Sequence, residues 1–294
     1  MSWLQIIINI NRTSLEVIEQ LLLDAGALTV TYTDAADQPI LEPGVDQVPV
    51  WDELILTGLF ENSGQQEKLV NDLQKQLGSR FEVRAEFLEE QDWTRAWMDH
   101  YDAMQFGDRL WVVPLHMEPP KPEAVNLRLD PGLAFGTGTH PTTSLCLKWL
   151  DKNIGNQQTL LDYGCGSGIL AIAACLLGVA NTDGVDIDPQ ALTATENNAA
   201  INAVSGQVST WLPEDYQREH GDSQYDIVVA NILSGPLADL AATLAKHCKA
   251  GGEIVLSGIL REQAQDVIDA YRAYFEMDEP VFEEDWTLLH GLKT

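Results

Sequence analysis

Residues 160–188 read LLDYGCGSGILAIAACLLGVANTDGVDID, and the fold follows from the way this stretch changes period. A short apolar run over 159–161 ends at Asp162 and meets three alternating glycines, Gly164, Gly166 and Gly168. The alanine- and leucine-rich segment 169–177 then suits a buried helix, and residues 184–187 suit a second strand that ends among acids. Strand, glycine turn, helix, strand and acid make a unit that binds an adenosine-containing cofactor. Glycine lets the backbone turn sharply and come close to the ligand, the helix start offers free N–H groups, and Asp186 can accept from both ribose hydroxyls. Three glycines ahead of a helix that held nothing would only cost conformational entropy.

The glycines do not choose the cofactor. Counted from Gly166, the spacing also satisfies a dinucleotide fingerprint, with Ala171 in the last small-residue place. Charge separates the readings. Between Asn153 and Gln217 there is no Lys or Arg, but there are seven acids: Asp162, Asp183, Asp186, Asp188, Glu196, Glu214 and Asp215. A pyrophosphate would sit badly among these, whereas a ligand carrying a sulfonium and an ammonium is attracted. This favours S-adenosylmethionine, and a dinucleotide held by backbone amides alone is the alternative.

Upstream, residues 129–151 read LDPGLAFGTGTHPTTSLCLKWLD. Gly132, Gly136 and Gly138 predict a mobile loop that can act as a lid, and Thr139 is placed to cap a helix with Pro141 near its first position. Before this, residues 110–114 and 125–129 read as a hairpin around the proline-rich MEPPKPEA. Residues 1–88 run strand, helix, strand, strand, helix, strand, the order of a ferredoxin-like α+β domain, with Thr13 or Ser14 capping the first helix. An acidic break then leads into DWTRAWMDHY, whose Trp93 and Trp97 share one face of a predicted linker helix over 89–104. Downstream, residues 225–232 form a continuously apolar strand ending in Asn231, a single helix is predicted over 237–248, and the chain closes on antiparallel strand candidates. Alternating strands and helices predict a doubly wound sheet over 105–294, whose ligands bind at the carboxyl ends of strands. Asp162, Asp186 and Asn231 fall at such ends.

Composition narrows the function classes. The 294 residues suit two ordinary domains. Net charge is −28, spread evenly along the chain, which argues against a phosphate-hugging nucleic-acid binder and reads as a solvated acidic surface. There is no apolar run of membrane-spanning length and no signal-peptide pattern, so a cytoplasmic location without membrane contact is expected. Cys146, Cys165, Cys175 and Cys248 lack metal-ligand spacing, so reduced thiols and no metal are expected, with a monomer as the default.

DYGCGSG at 162–168 resembles the first motif of class I S-adenosylmethionine-dependent methyltransferases. DPGLAFGTGTHPTT at 130–143 together with VVANILSGPL at 228–237 resembles one family among them, the methyltransferases of large-subunit ribosomal protein eleven (the PrmA family), and the similarity runs over the whole chain. The resemblance implies a Rossmann-like catalytic domain and an amino-terminal domain that docks the ribosomal substrate. It implies that Thr143, Gly164, Asp186 and Asn231 contact S-adenosylmethionine, with Gly166 and Thr139 as neighbours. It also implies repeated methylation of protein amines, both lysine side chains and the amino terminus, with the substrate met free or on the ribosome. The Asn231 oxygen, helped by main-chain carbonyls of Ile232 and Leu233, is expected to orient a neutral amine without stabilising its charge as an acid would. Asn231 is not followed by Pro-Pro and an aromatic, so a planar base or amide lacks a stacking surface. A binding module that uses the cofactor structurally is the reading from another class; it predicts no turnover.

Overall fold

The computed structural model describes residues 3–36, 51–61, 64, 66–88, 102–129 and 138–294. Of the linker helix expected over 89–104, Trp93 and Trp97 lie outside them, as do the loop glycines Gly132 and Gly136; residues 102–104 lie inside and are not helical, Met104 opening a strand. The chain divides into two compact units, Met1–Met98 and Asp99–Thr294.

In the first unit β1 (Trp3–Asn11), α1 (Leu15–Asp24), β2 (Thr29–Asp34), β3 (Glu53–Glu61), α2 (Gln66–Leu77) and β4 (Val83–Leu88) build an antiparallel sheet in the order β2-β3-β1-β4. This is the split βαβ arrangement predicted from element order. Period-two alternation sends Leu4, Ile6, Ile8 and Ile10 inward, where they pack with Leu54, Leu56, Ile18 and Leu22. The expected cap differs. Thr13 and Ser14 both donate their hydroxyls to Asn11 Oδ1, at 2.7 and 2.8 Å, and a 3₁₀ turn, Arg12–Ser14, precedes α1. Hydroxyls already turned back to Asn11 do not serve the helix amides.

The second unit opens with β5 (Met104–Phe106), β6 (Leu110–Pro114) and β7 (Val125–Leu129). Here the predicted hairpin is corrected: β6 and β7 are parallel, with Leu110 opposite Val125. Residues 115–124 cross back along the strand rather than turning over, because Arg128 Nη2 gathers the carbonyls of Leu115 and Met117 at 2.9 and 2.8 Å. Asn126 Nδ2 likewise holds those of Lys121 and Ala124, at 2.9 and 2.8 Å. The tight antiparallel turn joins β5 to β6 instead, where Asp151 accepts from Asp108 N at 2.7 Å.

The main sheet contains β8 (Thr159–Tyr163), β9 (Asn181–Val185), β10 (Val208–Trp211), β11 (Tyr225–Asn231), β12 (Cys248–Leu260), β13 (Phe275–Met277), β14 (Val281–Glu283) and β15 (Trp286–Lys293). Its order is β10-β9-β8-β11-β12-β15-β13, with β14 on β15. Strands β8 to β12 are parallel; β15 runs against all three of its partners, β12, β13 and β14. The helices are α3 (Pro141–Asn153), α4 (Ile169–Leu177), α5 (Pro189–Ile201), α6 (Pro213–His220), α7 (Ser234–Asp239), α8 (Ala241–His247) and α9 (Ala264–Tyr271). The helix expected over 237–248 thus begins earlier, with Pro236 in a first turn where its missing N–H costs nothing, and breaks at Leu240. Adjacent residues on single strands enter different cores: Leu160, Val229 and Val255 on one face, Leu161, Val228 and Ile254 on the other. Such two-sided burial explains the unbroken apolar runs of these strands. From β8 the chain moves outward through β9 and β10, then returns to the other side of β8 as β11. That reversal is a topological switch point, where ligands bind.

All four cysteines are buried and unpaired, and burial raises the pKa of each thiol. His290 on β15 bridges Glu253 of β12, at 2.9 Å from Nε2, and Asp278, at 2.7 Å from Nδ1. The bond to Glu253 leads in raising its pKa, against the effect of burial. The folded chain therefore holds this proton more tightly than the unfolded chain. The stabilisation is complete below the unfolded histidine value of about 6.5 and is lost as pH rises through the raised folded value. His290→Gln is expected to lower Tm clearly at about pH 5.5 and to converge on the parent protein at about pH 8.5. Circular-dichroism melts at the two pH values check this.

Candidate functional site

The cofactor-type turn lies between β8 and α4, with Gly164, Gly166 and Gly168 at φ +85°, +55° and +77°. At two of these positions a side chain fits only if a neighbour moves. A Cβ on Gly164 would stand 2.2 Å from Ile232 Cγ2, and one on Gly168 would stand 2.7 Å from Thr195 Cγ2. The turn is tied to β9 by Gly164 N and Cys165 N, which share Val185 O at 2.7 and 3.1 Å. Asp186, immediately after β9, accepts from Gly166 N at 2.9 Å and from Asp188 N at 3.0 Å. Asp188 caps α5 through Gln190 N at 2.9 Å, with Pro189 at its first position.

Helix α5 clamps the same turn from the other side. Thr195 Oγ1 donates to Gly166 O at 3.1 Å, and Asn198 Nδ2 donates to Ser167 O at 2.9 Å. Sequence reading missed both residues. The available signal was two polar residues three apart on a helix face that otherwise buries Ala191 and Ala199.

Asp162, at the end of β8, is 1% exposed. Its Oδ2 accepts from Ala171 N at 3.1 Å, while its Oδ1 has no hydrogen-bond partner. Burial pushes this carboxyl up to about 7, with the Ala171 amide pulling down and the Asp186 charge adding to the rise. A buried, half-satisfied carboxyl beside a glycine turn, in a stretch without Lys or Arg, suits a cationic ligand and opposes an anionic one.

Asn231 is the last residue of β11, and its Nδ2 donates to Thr143 Oγ1 at 3.4 Å. Thr143 is 1% exposed in the first turn of α3. The predicted cap at Thr139 is corrected: His140 is the N-cap, with Nδ1 accepting from Thr142 N at 3.3 Å and lying 2.7 Å from Thr142 Oγ1. Burial lowers the His140 pKa against the opposing charge of Glu284. A neutral ring nitrogen can accept where a threonine one residue earlier would fall short of the helix amides. The His140 ring also meets Trp286 edge-on at 4.6 Å. The structure thus joins Gly166 to Asp186, Asn231 to Thr143, and Gly164 to the residue after Asn231, while Thr139 stands one place outside the cap.

A parallel sheet with this order and an antiparallel strand β15, carrying a glycine turn, a ribose-type acid and an asparagine at its carboxyl edge, defines a class I S-adenosylmethionine-dependent methyltransferase domain. The family described as ribosomal protein L11 methyltransferase (PrmA) matches residues 2–294. The chain belongs to that family. Proteins named ribosomal protein L11 methyltransferase from Shewanella sediminis and Shewanella woodyi are 46% and 45% identical to it over 295 residues, covering 100% of both chains in each case. A crystal structure of a ribosomal protein L11 methylase from Lactobacillus delbrueckii subsp. bulgaricus is 33% identical, with a TM-score of 0.58, and covers 66% of this chain and 100% of that one.

Proposed function

We propose that this chain transfers methyl groups from S-adenosylmethionine to amines of large-subunit ribosomal protein L11, on lysine side chains and at the amino terminus. S-adenosylmethionine, when bound, supplies a methyl activated by its sulfonium. Gly164 and Gly166 let the backbone approach it, Asp186 takes its ribose hydroxyls, Thr143 and Asn231 face its methionine end with Thr139 nearby, and Asp162 answers its ammonium. Asn231 orients the incoming amine. An uncharged oxygen suits this task, since a carboxylate would hold the amine protonated and remove the lone pair that attacks. Positioning and exclusion of water supply the acceleration.

The observation that carries this reading is an uncharged Asn231 held by Thr143 beside a base-free, acid-rich glycine turn. Residues 1–88 serve as the substrate-recognition domain, residues 89–104 as a linker, and residues 105–294 as the catalytic domain of a monomer that uses no metal. Labelled S-adenosylmethionine incubated separately with purified L11, total ribosomal protein, intact large subunits and ribosomal RNA tests the proposal. Label confined to L11 amines supports it, and comparison of free L11 with large subunits identifies which form is met. Label on RNA, or cofactor binding without transfer, overturns it.

The buried acid gives a pH prediction. A cation favours ionised Asp162, so cofactor affinity is expected to rise between about pH 5.5 and 7, by at most about tenfold per unit, as the carboxyl loses its proton. Asp162→Asn removes that dependence and weakens binding throughout. Isothermal titration calorimetry across this range, in buffers of different ionisation heat, also detects the proton released on binding.

A further inference from the structure

Gly258 sits in β12 where pairing with β15 shifts register between Leu256 and Ile259. Its φ of +84° is left-handed, and a Cβ there would stand 2.2 Å from the carbonyl oxygen of Ile232 and 2.7 Å from the carbonyl carbon. The side chain of the same isoleucine meets Gly164, where a Cβ would stand 2.2 Å from Cγ2. Ile232 is therefore seated between two glycines, one in the turn after β8 and one in the bulge of β12. It directly follows Asn231, whose strand β11 pairs with both β8 and β12. Bulges re-aim a strand, and this one brings its backbone against a peptide group that cannot rotate away as a side chain would.

We infer that Ile232 is a spacer that sets the distance between the cofactor turn and the methyl-accepting edge, with Gly258 as the positioning residue for its carbonyl. This rests on the reading of Asn231 as part of the transfer site. A Cβ at position 258 pushes the Ile232 carbonyl outward by roughly 1 Å to restore ordinary contact, and carries the Asn231–Ile232 peptide with it. The bond from Gly166 N to Asp186 is untouched. In-line transfer is steep in reacting distance, and a displacement of about 1 Å costs on the order of 100-fold in rate.

The test compares full-length Gly258→Ala with Gly251→Ala, which has the same handedness (φ +73°) in the same strand but nothing within 4 Å of its Cβ. Gly258→Ala is expected to lower kcat about 100-fold with cofactor Kd within about threefold, while Gly251→Ala keeps kcat within about twofold. A second arm reads cofactor binding alone: Gly164→Ala weakens it at least about tenfold, and adding Ile232→Ala restores at least about threefold of that loss. A folded Gly258→Ala with kcat equal to Gly251→Ala, or with kcat and cofactor Kd worsened alike, overturns the inference. If Gly258→Ala does not fold, absence of recovery in the second arm overturns it. A parent protein that binds cofactor yet labels no L11 amine sinks the methyl-transfer reading instead, and the second arm still tests the seat of Ile232.

Discussion

Asn231→Ala is expected to lower kcat for methyl transfer about 10²- to 10³-fold at saturating cofactor, while raising cofactor Kd by less than about tenfold. The asymmetry follows from where Asn231 sits. Its amide nitrogen is engaged by Thr143, at 3.4 Å, which leaves the oxygen as the group proposed to meet the amine, and the residue closes a strand rather than lying in the glycine turn. Truncation therefore removes an aim more than a binding contact. Asn231→Asp separates aim from charge: it keeps an acceptor but stabilises a protonated amine, so its rate should fall and its pH optimum move upward. Steady-state kinetics on L11 with both variants decides the matter. If Asn231→Ala raised cofactor Kd and left saturated turnover unchanged, the residue would hold only the cofactor.

Asp186→Ala is expected to raise cofactor Kd about 10²- to 10⁴-fold, the loss of two hydrogen bonds to a charged acceptor at about 1.5–3 kcal/mol each. The carboxylate also accepts from Gly166 N at 2.9 Å and Asp188 N at 3.0 Å, so its removal loosens the turn and the cap of α5 together. Asp186→Asn retains the shape but can accept at only one end, and should lie between the two. Calorimetry measures both losses directly. At cofactor concentrations far above the new Kd, kcat should return towards the parent value, the result expected of a residue proposed to hold the ribose and not the reacting methyl.

The glycine turn and its strands were legible in the sequence because both signals are local: an apolar run, then residues that tolerate left-handed backbone, then a helical period. The sense of β6 against β7 was not, because two apolar runs carry no direction. It is set by Arg128 and Asn126 folding residues 115–124 back. The cap of α3 was misplaced by one residue because preference rankings favour threonine, whereas a neutral His140 with its ring on Trp286 fills the role. Thr195 and Asn198 escaped notice because their targets, the carbonyls of Gly166 and Ser167, lie in another element. Gly258 carries no local signal, because what it makes room for, the peptide of Ile232, belongs to another part of the chain.

Every cysteine lies in the second unit: Cys146 on α3, Cys165 in the glycine turn, Cys175 on α4 and Cys248 at the start of β12. Since all are buried, a maleimide or disulfide reagent can modify the chain only through moments when that unit opens. The labelling rate is thus a stopwatch for the second unit alone, blind to residues 1–98, which contain no thiol. Cys165 makes the stopwatch sensitive to ligand, because its sulfur lies against Thr195, at 3.6 Å, and a ligand that binds only the closed turn slows the opening that uncovers it.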